Sequence, residues 1–257
     1  MQGHRLQGWR SGTLASIVAS AVLILFSTAF ADLKPAQEKL LNEAREDYEA
    51  SAEKAKEMLL SRFDKAMDVA RAGGTAAADR AKLLEELKAE KDEFELRGRY
   101  PLSITMRNSL IDYVKSTDAG VKKVKRIYEQ VIQERLKARD DEVVKTLRTD
   151  LEMLVPRRLV SSWDCTDGRT PFQLDLYSDG TFDSALWERV EKPDRIWRLD
   201  KKELIVIARG ANAYGQKDLI SHCVVSSSGM TLSAEQEGTK WRFNGVRQQK
   251  DRPQKVD

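Results

Sequence analysis

Between residues 36 and 155 apolar side chains recur every three to four positions, the spacing of one face of an α-helix. In the first stretch they fall at Leu41, Ala44, Tyr48, Ala52, Ala55, Leu59, Phe63, Ala66 and Ala70, an eleven-residue repeat. Such a repeat averages about 3.67 residues per turn, which keeps the stripe nearly straight or drifting slightly to the right. Gly73-Gly74 ends the pattern and Thr75 is placed to cap the next helix, which carries Leu83, Leu84, Leu87 and Phe94 before Gly98 and Pro101 break it.

The helical block matches itself. Sliding the first helix forward by 65 residues lays Tyr48 on Tyr113, Leu59 on Val124 and Phe63 on Tyr128. A shift of 60 lays Leu83-Leu84 on Val143-Val144, Leu87 on Leu147, Glu90 on Asp150 and Phe94 on Leu154. The spacing predicts a long helix, a turn and a shorter helix, present twice, over 32–156. Each helix has one narrow apolar stripe and a charged remainder, so the stripes pair within a coiled-coil-like four-helix arrangement or across a dimer.

After Pro156-Arg157-Arg158 the period changes to two. Phe172, Leu174 and Leu176 share one face of a strand, Phe182, Ser184 and Leu186 one face of the next, and Asp179-Gly180 between them supplies a tight reversal. Strands are predicted at 159–165, 172–177, 181–187, 195–200, 203–208, 219–226, 230–236 and 239–247. Such a meander closes on itself because closure removes exposed edges. The expected fold class is α+β as two separate units: long antiparallel helical hairpins, then an all-β meander over 157–248 forming a small up-and-down barrel or twisted sandwich, with a disordered tail at 249–257.

Residues 1–31 read as a signal peptide, with Arg5 and Arg10 before an apolar run from Leu14 to Phe26 and the small-x-small site Ala29-Phe30-Ala31. The expected destination is the periplasm or the medium; the alternative is an uncleaved inner-membrane signal anchor, since Thr13 to Ala31 falls just short of a bilayer span. Export changes the meaning of the charge. The whole chain has 44 basic and 41 acidic residues and a formal charge of +3. Without Arg5 and Arg10 it is close to neutral. Acidic and basic residues interleave along the helices, which excludes a nucleic-acid role. The run Lys122-Lys123-Val124-Lys125-Arg126 reads as a solvated helix face, and no membrane span is expected after cleavage.

Trp163 in the opening strand, the Phe-x-Leu strand at Phe172 with the Asp179-Gly180 turn, Trp197 ahead of Leu204-Ile205-Val206, Met230-Thr231-Leu232-Ser233 and the closing Gly245-Val246-Arg247 form a pattern. It resembles the small lipocalin-like β modules of exported bacterial proteins, and the duplicated hairpin resembles helical regions found beside them. The resemblance covers most of the mature chain and brings no catalytic residues with it. Ser161-Ser162-Trp163 replaces the Gly-x-Trp opening of lipocalins, which argues against a deep ligand cavity.

The candidate chemistry is sparse. Cys165 and Cys223 are the only thiols, and in an exported chain they are expected to form a disulfide. His222 is the one histidine after the signal, with no nucleophile elbow to serve. Asp175, Ser178, Asp179 and Asp183 lack calcium-loop spacing and read as turn formers. No catalytic residue, metal site or cofactor is expected. Trp187 and Trp241, with Arg209, Asn212, Tyr214 and Lys217 of the glycine-rich connection 209–217, are the candidate ligand or partner surface. The expected function is an exported, non-enzymatic interaction or scaffold protein. Its helices serve self-association, as a homo-oligomer, or contact with a protein partner, and its β module is a recognition surface. The alternative is a lipocalin-like binder of a small apolar or glycan ligand.

Overall fold

The computed structural model describes residues 33–73, 76–187, 194–200, 203–209 and 218–248. The signal-peptide reading of 1–31, the tail 249–257 and the cap Thr75 therefore lie outside the described residues. Four helices come first: α1 (Pro35–Ala72), α2 (Ala77–Arg97), α3 (Arg107–Lys137) and α4 (Asp141–Leu154). Among the described residues no helix is long and apolar enough to cross a membrane. Gly98 ends α2 in the left-handed conformation at φ 68°, its N–H donating to Phe94 O at 2.9 Å, the cap that glycine makes without strain.

Eight strands follow: β1 (Leu159–Thr166), β2 (Pro171–Tyr177), β3 (Phe182–Asp183), β4 (Arg195–Asp200), β5 (Glu203–Ala208), β6 (Leu219–Val225), β7 (Thr231–Gln236) and β8 (Arg242–Arg247). They form one antiparallel sheet in the order β3-β2-β1-β8-β7-β6-β5-β4. Its two edges meet through a bridge between Thr181 and Ile196 and a bond from Trp197 N to Gly180 O at 2.8 Å, so the sheet is a nearly closed barrel. At the Asp179-Gly180 reversal Gly180 has φ 80°, and the Asp179 carboxylate accepts the Thr181 N–H at 2.9 Å.

The third strand is shorter than the alternation predicts. After Asp183 the chain turns into a 3-10 helix over Ala185–Trp187, held by Trp187 N donating to Ser184 O at 3.1 Å. This turn directs the Trp187 ring onto the barrel's aromatic residues, a gain in buried area that continued extension would forfeit.

Packing divides the chain differently from its secondary structure. Among the described residues one compact unit comprises 33–48 and 122–155, the other 49–121 and 156–248, so α1 and α3 each contribute to both. One of the three divisions, between Val155 and Pro156, falls at the change from helix to sheet, and the other two lie inside α1 and α3.

In the smaller unit α1, α3 and α4 bury Leu41, Ala44, Val124, Tyr128, Val131, Val143, Val144 and Leu147. The Asp150 carboxylate, 4% exposed, accepts the Tyr128 hydroxyl and sits 2.7 and 2.5 Å from Arg45 Nη2. Burial and the neighbouring carboxylate push the Tyr128 hydroxyl well above its ordinary pKa.

In the larger unit the helices and the barrel share one core. Leu59, Phe63, Leu87, Phe94 and Leu110 join it from the helices, and Trp163, Leu174, Phe182, Val206 and Phe243 from the inward faces of the strands. The α2–α3 connection lies against one end of the barrel. Tyr100 N donates to Val160 O at 2.9 Å, Ile104 N to Ser227 O at 3.0 Å, and the Arg247 guanidinium to Tyr100 O at 2.5 Å. Glu90 of α2 holds the same connection, accepting Leu102 N at 2.9 Å, Ser103 N at 3.0 Å and Ser103 Oγ at 2.6 Å. Gly229 at φ 75° permits this approach: a Cβ there would stand 2.7 Å from Ser103 N.

Candidate functional site

Alternation along the central strands decides what the barrel presents outside. On β8 Phe243, Gly245 and Arg247 point inward, leaving Asn244 and Val246 outward. On β7 Leu232 and Ala234 point inward, leaving Thr231 and Ser233 outward. With Val224 of β6 and Asp164 of β1 these residues wall a groove of about 450 Å³ on the outer surface. Val224 and Val246 are 57% and 58% exposed, an apolar pair set among hydroxyl and amide groups. Gln248 fixes one rim, its Nε2 donating to Asp164 Oδ1 at 2.7 Å.

The barrel end opposite the α2–α3 connection is aromatic. Trp187 meets Phe172, Phe182 and Trp241 edge to face at 6.1, 5.3 and 6.1 Å between centroids. Trp241 stacks on Phe172 at 27° between planes, and its indole N–H donates to Asp167 Oδ2 at 3.4 Å. The two tryptophans chosen from sequence are therefore brought together, but with different access. Trp187 is 5% exposed and works as a plug, whereas Trp241 is half-buried. Arg209 is exposed at the end of β5, its N–H bonded to Asp194 O at 2.9 Å. Asn212, Tyr214 and Lys217 lie outside the described residues.

The expected disulfide is corrected by the structure: Cys165 and Cys223 are both free thiols, buried on the inward faces of β1 and β6. Cys165 Sγ occupies the space over Gly245, where a Cβ would come within 2.7 Å of it. Burial pushes both thiols up to about 12, so neither is a nucleophile at neutral pH. His222 points outward on β6, its Nδ1 2.8 Å from Glu203 Oε2, with Ile205 and Glu235 opposite it in register. Neither opposing residue is a serine, threonine or cysteine that a histidine base would activate.

The aspartates of the β2–β3 region serve the fold. Asp175 accepts from Ser162 and Gln173 at 2.5 and 2.8 Å, and Asp183 from Arg157 at 3.1 Å. Among the described residues no cluster of three or more His, Cys, Asp or Glu is placed to hold a metal ion. The groove is not legible as a motif in the sequence, because its walls come from four separate strands rather than from the aromatics or the long connection. The signal was the outward positions of β6 and β8, where valines stand in a polar register. Compared with protein-family models, curated proteins and solved structures, the chain finds no match.

Proposed function

We propose that the chain is an exported, non-enzymatic interaction protein whose β module recognises a protein partner through its outer surface. The observation that carries this reading is the contrast between the two sides of the barrel wall. Inward-facing Trp163, Leu174, Phe182 and Cys223 are fully buried and fill the interior with side chains. The groove with its exposed Val224 and Val246 lies outside. Export rests on the charged, apolar and small-residue order of residues 1–31. What supports the duplicated, coiled-coil-like helical hairpin is that paired positions have like roles: Leu59 and Val124, Phe63 and Tyr128, and Leu87 and Leu147 are all buried.

The test is a pull-down from the extracytoplasmic fraction with the wild type and with Val224→Asp/Val246→Asp. The expected outcome is a partner held by the wild type and lost by the variant, with an unchanged near-UV spectrum in the variant. A partner held equally by both would remove the groove from the reading. Self-association through the helices is measured separately by sedimentation of the full mature chain, and a monomer at all concentrations rejects it.

A second reading, a binder of a small apolar or glycan ligand, is favoured by one observation: the half-buried Trp241 at the barrel end with Asp167 on its indole N–H. A ligand-induced change in tryptophan fluorescence, abolished in Trp241→Ala, would support it.

A further inference from the structure

We propose that α1 and α3 flex where they pass from one compact unit to the other, over 49–54 of α1 and 115–121 of α3, the third crossing at 155/156 lying in the link between α4 and β1, so that each unit moves as a body with its core closed. The inference does not depend on what the protein binds. It begins with the cores, which are two separate clusters, one holding Leu41, Ala44 and Val124 and the other Leu59, Phe63 and Leu110. Between Ala44 and Ala55 on α1, and between Leu110 and Val124 on α3, no side chain is fully buried. Arg45 and Tyr48 pack with the smaller core and Tyr113 and Val114 with the larger one, so bending confined to 49–54 and 115–121 strains backbone hydrogen bonds without uncovering a core, the condition for low-energy local opening.

The residues in the windows favour the same outcome. Gly120 is the one glycine inside the four helices, and glycine is the poorest helix former after proline. Three residues earlier the Thr117 hydroxyl donates to Tyr113 O at 3.0 Å and to Val114 O at 3.1 Å, competing with the helix's own amides, an arrangement that bends helices. On α1 the window contains Ala50-Ser51-Ala52, small side chains with little area to bury. The ion pair from Lys123 to Asp47 at 2.7 Å borders the two windows within the smaller unit, and both partners are more than half exposed, where such pairs hold weakly.

Hydrogen–deuterium exchange on the full mature chain tests this. The amides of 49–54 and 115–121 are expected to exchange about tenfold faster, or more, than those of 56–63 and 124–132. Gly120→Ala is expected to slow the α3 window by about three- to fivefold, from the helix propensity gained, with 124–132 unchanged. Thr117→Ala, which frees the two carbonyl acceptors, is expected to act in the same direction. Uniform protection along α3 in the wild type would overturn the proposal, and so would variants that leave the window's exchange unaltered.

Discussion

Cys165 and Cys223 show how little a residue's identity says before its neighbours are known. Both sit inside the barrel wall as thiols pushed up to about 12 by burial. The expected outcome in Ellman titration at pH about 8 is no reaction in the folded chain and two equivalents released on unfolding in guanidinium. A reductant is expected to leave the thermal midpoint unchanged, which a disulfide-stapled domain would not tolerate. Two cysteines in an exported chain invite pairing on compartment alone, but whether they bond depends on how β1 and β6 place their sulfurs. The tryptophans divide in the same way. Trp187 and Trp241 were visible as large aromatics near turns, yet only their positions relative to Phe172 and Phe243 separate the plug from the half-buried ring.

Among the elements, the helices were the most legible. A stripe at helical spacing can be buried on only one face, and its members Leu41, Ala44, Leu59, Phe63 and Ala70 are buried. Their partners across the fold were not legible. Arg45 of α1 and Asp150 of α4 are 105 residues apart in sequence, and no local pattern links them. Replacing Arg45 with Ala leaves the Asp150 carboxylate, 4% exposed, without its cation. The expected cost is about 3 kcal/mol or more by urea unfolding. Arg45→Met combined with Asp150→Leu and Tyr128→Phe is expected to recover most of that loss, because the whole network, including the buried hydroxyl bonded to both, is then replaced rather than broken. The strands were legible to within a residue or two except β8, expected from 239 but beginning at Arg242, and β3, where Ser184 turns the chain into a 3-10 helix that alternation does not foresee.

At the scale of the molecule, the larger unit is tied together by a clamp between helix and barrel. Glu90 and Arg247 are 9% and 8% exposed and 3.7 Å apart, and both hold the connection that contains Tyr100, Leu102 and Ser103. Burial raises the Glu90 carboxyl above its ordinary value of 4.5, against the bonds from Ser103 and the charge of Arg247. For an acid whose folded pKa exceeds its unfolded one, the stabilising contribution is complete below the unfolded value and disappears as pH rises through the folded value. Glu90→Gln lacks this titration. The thermal midpoint of the variant relative to the wild type is therefore expected to rise as pH goes from about 4 to about 7. A difference independent of pH across that range would remove Glu90 from the account. By itself the sequence determined the helical stripes, the turns and the in-and-out alternation of the strands, because these follow from local periodicity and from glycine at positive φ. Only the tertiary structure decided that the two cysteines stand as buried thiols, that α2 and its connection share a core with the barrel, and that the accessible groove lies outside the barrel wall. Each of these depends on residues far apart in sequence meeting in space, and on which face of each strand the closed sheet turns inward.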